Sequence, residues 1–162
     1  MEYSIVLQDL TDNFKNAILS VDESSDVFTI VIASESVKEI ITVLKEKHQF
    51  IFLTDLCGIH YPEQEKELGV IYHLHNLVEN KRIRIKTFVA KDHPQVESIV
   101  SLYTGANWME RETFDFYGID FVGHPNLKRI LNVEYMDYFP MRKEYPLEDA
   151  TRTDKDDRFF GR

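Results

Sequence analysis

Residues 69–90 constrain the fold more than any other stretch. In the second half, Ile83, Ile85, Thr87 and Val89 alternate with Arg82, Arg84 and Lys86. Successive side chains of a strand point to opposite faces, so this spacing predicts a half-buried strand with a basic outer face. Residues 69–78 are also strand-like, and residues 79–81 form a turn between the two runs. A hairpin of this kind is antiparallel, and its apolar face must be covered by another layer.

The rest of the sequence supplies that layer. Residues 34–47 carry Val37, Ile40, Ile41 and Leu44 on one helical stripe, with Ser36 and Glu39 spaced as a capping box and lysines in the last turn. Residues 10–21 place Leu10, Phe14, Ile18 and Val21 at roughly helical spacing, with Thr11 or Asp12 as the cap. Residues 27–32 and 50–56 read as strands, and residues 61–67 as a loop. Asp92-His93-Pro94 opens a predicted helix with Val96, Ile99, Val100 and Tyr103 on its stripe. Thr104-Gly105-Ala106 interrupts it, Asn107 caps a further turn or two, and Gly118 stops the helix. Beyond Gly118 the periodicity fades, and Pro125, Pro140 and Pro146 each deny a helix a donor. The expected fold is α+β, a two-layer domain with a mainly antiparallel sheet covered by helices. Residues 1–118 form the core domain and residues 119–162 an extended, partner-docking arm that lacks periodic apolar surface and is unstructured without its partner.

Composition narrows the function. A formal charge of −9 disfavours nucleic acid and direct attraction to anionic lipid. The single cysteine, Cys57, cannot ligate an iron–sulfur cluster or close an internal disulfide, and it lies among Leu53, Leu56 and Ile59 as a small apolar residue would. A reducing, cytoplasmic-side compartment is expected. The first residues lack a basic region followed by a long apolar run, so no signal peptide is expected, and no window reaches about 18 apolar residues.

Several groups could carry chemistry. His73 and His75 share a strand face and, with His60, His93 or Glu79, could form a zinc site, though no third ligand has a recognisable spacing. Arg82, Arg84 and Lys86 could meet phosphate or an acidic partner, or simply keep a solvated face from pairing. Glu110, Arg111, Glu112 and Asp115 offer carboxylates for acid–base work, but a helix-surface network with Arg111 and Asp115 as i, i+4 neighbours explains them without it. No glycine-rich phosphate loop, nucleophile elbow or H-E-x-x-H run occurs. Arg142 and Lys143 lie between Pro140 and Pro146 beside Met141 and Tyr145, a stiffened basic segment suited to docking on a protein.

One long ordered pattern decides between these readings. Glu110, Arg111 and Glu112 are followed by Asp115, Phe116 and Tyr117, then His124, Lys128, Ile130 and Leu131. Asn107-Trp108 precedes it, Gly123-His124-Pro125 lies within it, and PMRKEYPL at residues 140–147 follows. Over residues 100–148 the sequence resembles the thirty-kilodalton subunit family of the proton-translocating NADH:quinone oxidoreductase, respiratory complex I. Met141 and Glu144 stand where the family commonly has Leu and Asp, and residues 132–139 differ from the usual spacer. The resemblance implies a peripheral-arm subunit supporting electron transfer from NADH to quinone, with no active site, redox centre or metal of its own. FMN, iron–sulfur clusters and the quinone site are implied on other subunits. The implied partners are the quinone-site large subunit, which is hydrogenase-large-subunit-like, and other peripheral-arm subunits. No nucleic acid is implied, and membrane contact only through the complex, at the cytoplasmic side of a bacterial inner membrane. Docking candidates are Glu110, Arg111, Glu112, Asp115, His124, Lys128, Arg142, Lys143 and Tyr145. An equivalent subunit of a membrane-bound hydrogenase or another quinone-reducing dehydrogenase is the alternative, with a His-based metal enzyme behind it.

Overall fold

The computed structural model describes residues 3–24 and 26–145. In sequence order the elements are α1 (Tyr3–Phe14), β1 (Ile18–Asp22), β2 (Phe28–Ile32), α2 (Val37–Glu46), β3 (Phe52–His60), β4 (Leu68–Asn76), β5 (Lys81–Val89), β6 (Gln95–Glu97), α3 (Ala106–Tyr117) and β7 (Asp120–Val122). Five strands form one sheet in the order β1-β2-β5-β4-β3. Every pair is antiparallel except β2 with β5. The α+β class and the mainly antiparallel sheet are therefore as the alternation predicted.

Alternation sets the layers. Val70, Tyr72 and Leu74 of β4 and Ile83, Ile85 and Thr87 of β5 are buried, and the residues between them are only partly so. The buried rows join Val6 and Leu10 of α1 and Val37, Ile40, Ile41 and Leu44 of α2 in one core. Among the described residues no helix is long and apolar enough to cross a membrane.

Four local expectations are corrected. The helix predicted over 10–21 lies earlier, at Tyr3–Phe14, and Ile18–Asp22 is an edge strand. Ile18 and Val21, three apart, suit a helix better than a regular strand; an irregularity between Ile18 and Ser20 lets Ile18 pair with Ile32 and Val21 with Ile30, and that pairing decides for the strand. The helix predicted from Asp92 is absent: Gln95–Glu97 is a strand pairing in parallel with β7, and residues 100–105 are turns and irregular backbone. Ser36 makes no side-chain cap bond, a 3₁₀ turn over Ser34–Ser36 leading into α2 instead. Gly105, not Asn107, is the N-cap of α3, and Asn107 lies inside the helix.

The segment after Gly118 also behaves differently from an unsupported arm. Ile119 and Phe121 are buried in the core, and β7 completes a two-stranded sheet with β6. Residues 123–145 then run back across α3, while residues 146–162 lie outside the described residues.

Candidate docking surface

The last turn of a helix leaves four carbonyls without intrahelical partners. In α3 each finds one. Gly118 N–H donates to Phe114 O at 2.8 Å, and Gly118 takes the left-handed conformation that such a cap requires. The other three donors come from the arm. Arg129 Nη1 donates to Asp115 O at 3.0 Å. Met141 N–H donates to Phe116 O at 3.1 Å. Arg142 Nε donates to Tyr117 O at 2.7 Å. Two guanidinium groups thus face the negative end of the helix dipole.

Asp115 is the centre of this arrangement. Its Oδ2 accepts backbone N–H groups from Ile130, Leu131 and Asn132 at 3.1, 2.9 and 3.0 Å. Its Oδ1 accepts Arg129 Nη1 at 2.9 Å and Asn132 Nδ2 at 3.0 Å. Burial pushes the carboxyl up, but the Asn132 and Leu131 amides and the Arg129 guanidinium outweigh it and hold the group well below the usual carboxylate range. The side chain is completely buried, so this carboxylate ties the arm to the domain and does not face a partner.

Phe139 is the apolar counterpart. Its ring lies over Gly118, where an added Cβ would approach to 2.4 Å. Arg142 and Arg129 stack on it at 4.7 and 5.1 Å, and Phe114 meets it edge-on. His60 closes the far end. Its Nδ1 accepts Lys143 N–H at 2.9 Å, so Nε2 carries the proton directed at Glu67, 3.1 Å away. Lys91, just after β5, reaches both Glu67, just before β4, and Glu144 of the arm.

The candidate residues divide into two sets. Glu110 and Asp115 are fully buried. Glu110 accepts Ser98 Oγ at 2.6 Å and Ile99 N–H at 2.7 Å. Burial raises its carboxyl to about 7, against the lowering effect of those two donors. These bonds also explain the missing helix near Asp92, because the Ile99 amide goes to a carboxylate. Arg111 does not pair with Asp115: it donates to the Lys128 and Arg129 carbonyls at 3.0 and 3.2 Å and stacks on Trp108. His124 Nδ1 accepts Asn126 N–H, leaving Nε2–H for Asn107 O. Arg142 is half-buried and used internally, whereas Glu112, Lys128, Lys143 and Tyr145 are exposed.

The outer side of this assembly carries several large exposed apolar side chains among its charges. Leu131 is 71% exposed, Tyr135 87% and Trp108 63%, and Val133, Tyr138, Met141 and Tyr145 join them. A groove of about 440 Å³ opens between Cys57 and Gly58 of β3 and Glu112 and Phe116 of α3, with Met141 at its rim. Burial, then the neighbouring Asp55, pushes the Cys57 thiol up to about 11, so it stays protonated and inert at neutral pH.

The histidines do not converge. His73 Nε2 accepts Arg84 Nε, and His75 Nε2 lies 3.2 Å from Asn80 Oδ1. Among the described residues no three His, Cys, Asp or Glu side chains could hold a metal ion together. Arg129, Asn132, Phe139 and Ser98 carry the internal network and were not singled out from sequence. Their only local signal was Arg129 in a segment otherwise poor in apolar periodicity.

The protein is thus a small α+β domain whose last helix is capped by its own C-terminal segment, with aromatic side chains exposed on the outer side. Residues 30–151 match the family described as the respiratory-chain NADH dehydrogenase, 30 Kd subunit. The protein belongs to that family. It is 35% identical over 143 residues to the NADH-quinone oxidoreductase C subunit of Citrifermentans bemidjiense, covering 88% of this protein and 89% of that one. Several relatives of the same description are longer, and this protein spans 56–65% of them. The trypsin-resistant fragment of Nqo5 superposes with a TM-score of 0.69 at 26% identity, over 78% of this protein and all of that fragment. A component of the archaeal membrane-bound sulfane sulfur reductase shares the fold, with a TM-score of 0.73 at 17% identity over 91% of this protein and 87% of that one.

Proposed function

We propose that this protein is a structural subunit of the peripheral arm of a proton-translocating NADH:quinone oxidoreductase. It docks on the large subunit that forms the quinone site and supports electron transfer from NADH to quinone. Flavin, iron–sulfur clusters and quinone belong to other polypeptides, and this one performs no redox step. Its place is the cytoplasmic side of a bacterial inner membrane, held there through the complex.

One observation carries the reading. The arm is pinned to α3 by Asp115, Arg129 and Arg142, yet among the exposed charges Glu134, Asp137 and Lys143 its outward side chains include Leu131, Val133, Tyr135 and Met141. Internal polar bonds fix the backbone so that an aromatic and apolar surface is presented with little ordering left to lose on binding. Tyrosine and tryptophan on such a surface are the residue types that anchor interfaces.

The test is Leu131→Asp with Tyr135→Ala, two exposed positions whose side chains make no hydrogen bond or ring contact among the described residues. Retention in the complex purified from gently solubilised membranes should fall at least tenfold, with the secondary structure of the free protein unchanged. Wild-type retention would refute the arm as the docking element.

A further inference from the structure

The groove between β3 and α3 combines apolar walls with charges that the domain leaves unanswered. β3 is an edge strand, paired only with β4. α3 runs beside it in the same direction. Tyr103, just ahead of α3, donates to the Phe50 carbonyl, just ahead of β3, at 2.6 Å. At the far end the Tyr117 ring lies over Gly58, where an added Cβ would approach to 2.4 Å. The groove of about 440 Å³ lies along this pair. Volumes of about 300–1,000 Å³ are those of small-ligand sites, so one long side chain fits.

Phe116, Tyr117 and Met141 supply its apolar walls, and Asp55 of β3 and Glu112 of α3 bring one carboxylate from each side. Both carboxylates are exposed, and neither has an ion pair among the described residues. The neighbouring cations are engaged elsewhere. Arg84 donates to His73 Nε2 at 3.3 Å and reaches Asp26 at 3.6 Å. Arg142 donates to the Tyr117 carbonyl, and Arg111 to the Lys128 and Arg129 carbonyls. His73, which the register sets beside Asp55, is held below its ordinary value by burial and by Arg84, so it is neutral at pH 7. The Cys57 thiol in the groove registers the resulting sign. After burial, Asp55 and then Glu112 push it up, and the opposing effect of Arg84 is the smallest. Low-dielectric walls focus such a negative field.

We propose that this groove receives one basic side chain, arginine or lysine, projecting from another protein subunit of the same complex. Its aliphatic stem lies on Phe116 and Met141, and its charged head sits between Asp55 and Glu112. Long cationic side chains divide in this way, stem on apolar surface and head on charge. Complementary charge of this kind also fixes register and rejects an acidic segment. A bare metal ion does not fit, since among the described residues no three His, Cys, Asp or Glu side chains could hold one. The inference rests on the reading of this protein as a subunit of the complex, and it adds the chemistry of what the partner inserts.

Cys57, half-buried in the groove, is the reporter. The assembled complex and the free full-length protein are labelled with iodoacetamide at alkaline pH, and Cys57 should react at least tenfold more slowly in the complex. Asp55→Asn with Glu112→Gln keeps the shape and removes both charges. Retention in the complex should fall about tenfold, with the free variant melting as wild type does. With photo-methionine incorporated, Met141 should cross-link in the complex to a residue of another subunit that lies next to an arginine or lysine. Equal Cys57 labelling in both states overturns the proposal, and so does wild-type retention of the amide variant. A cross-link to this protein's own residues, to a second copy of it, or to a partner stretch without a basic residue overturns it too. If the Leu131 and Tyr135 substitutions still release the protein in those cases, the arm stands and the groove alone falls.

Discussion

Replacing Asp115 with Ala should release the arm and leave the sheet intact. The carboxylate accepts three backbone amides, from Ile130, Leu131 and Asn132, besides the Arg129 guanidinium. Hydrogen bonds to a charged group contribute about 1.5–3 kcal/mol each. Taking the low end for the amides alone gives about 4–5 kcal/mol holding this segment down. Arg129 does not add its full buried-charge penalty, because the freed segment swings into water and rehydrates. At about 1.4 kcal/mol per tenfold, amide-exchange protection at residues 130–132 should fall roughly a thousandfold. The Tyr72 and Ile85 amides, in the sheet centre, should keep theirs. Asp115→Asn keeps one acceptor oxygen and should fall between the two. The pH dependence follows from the same group. Its folded pKa lies below the unfolded value of 3.8, so the contribution is complete above about pH 4 and is lost only as pH falls through the lower folded value. Unchanged protection at 130–132 in the Ala variant, or equal loss in the sheet, would refute the hub.

Glu110 titrates in the opposite sense. Its carboxyl is raised to about 7, so the stability it lends is full below pH 4.5 and is lost as pH rises through 7, by on the order of 3 kcal/mol. Denaturant titrations at pH 5 and pH 8 should show this, and Glu110→Gln should flatten the difference; a pH-independent wild type would contradict it. Gly118→Ala places a methyl 2.4 Å from the Phe139 ring at a positive φ, which costs about 1–2 kcal/mol in backbone strain alone. Chymotrypsin should then cut after Tyr138 in the full-length protein, and resistance equal to wild type would show that the ring is not what seats the arm. Arg129→Lys keeps the charge but loses the fork that spans the Asp115 carboxylate and the Met136 carbonyl. Exchange at residues 130–132 should quicken about tenfold, and no change would mean the amides alone hold the loop.

The sequence determined the parts of this fold whose signal is local. The alternation at Arg82 to Val89 set both the hairpin and its faces, because a period of two has one structural meaning when it runs this long. The stripe at Val37, Ile40, Ile41 and Leu44 set α2, Gly118 ended α3, and the ordered pattern from Glu110 to Leu131 carried the family. Tertiary structure decided the rest. Ile18 and Val21 carry helical spacing, and only pairing with β2 through an irregularity between Ile18 and Ser20 makes them strand, while the segment from Pro94 to Tyr103 lost its helix to the buried carboxylate that α3 brings against it. Above all, Glu110 and Asp115 look from sequence like the surface charges of a helix. Only the tertiary structure shows that one closes the core against Ser98 and Ile99 and that the other holds the returning C-terminal segment. A carboxylate's neighbours in space are set by crossings of the backbone that no spacing along the sequence encodes, and burial then turns the same group from a solvated charge into a structural bond.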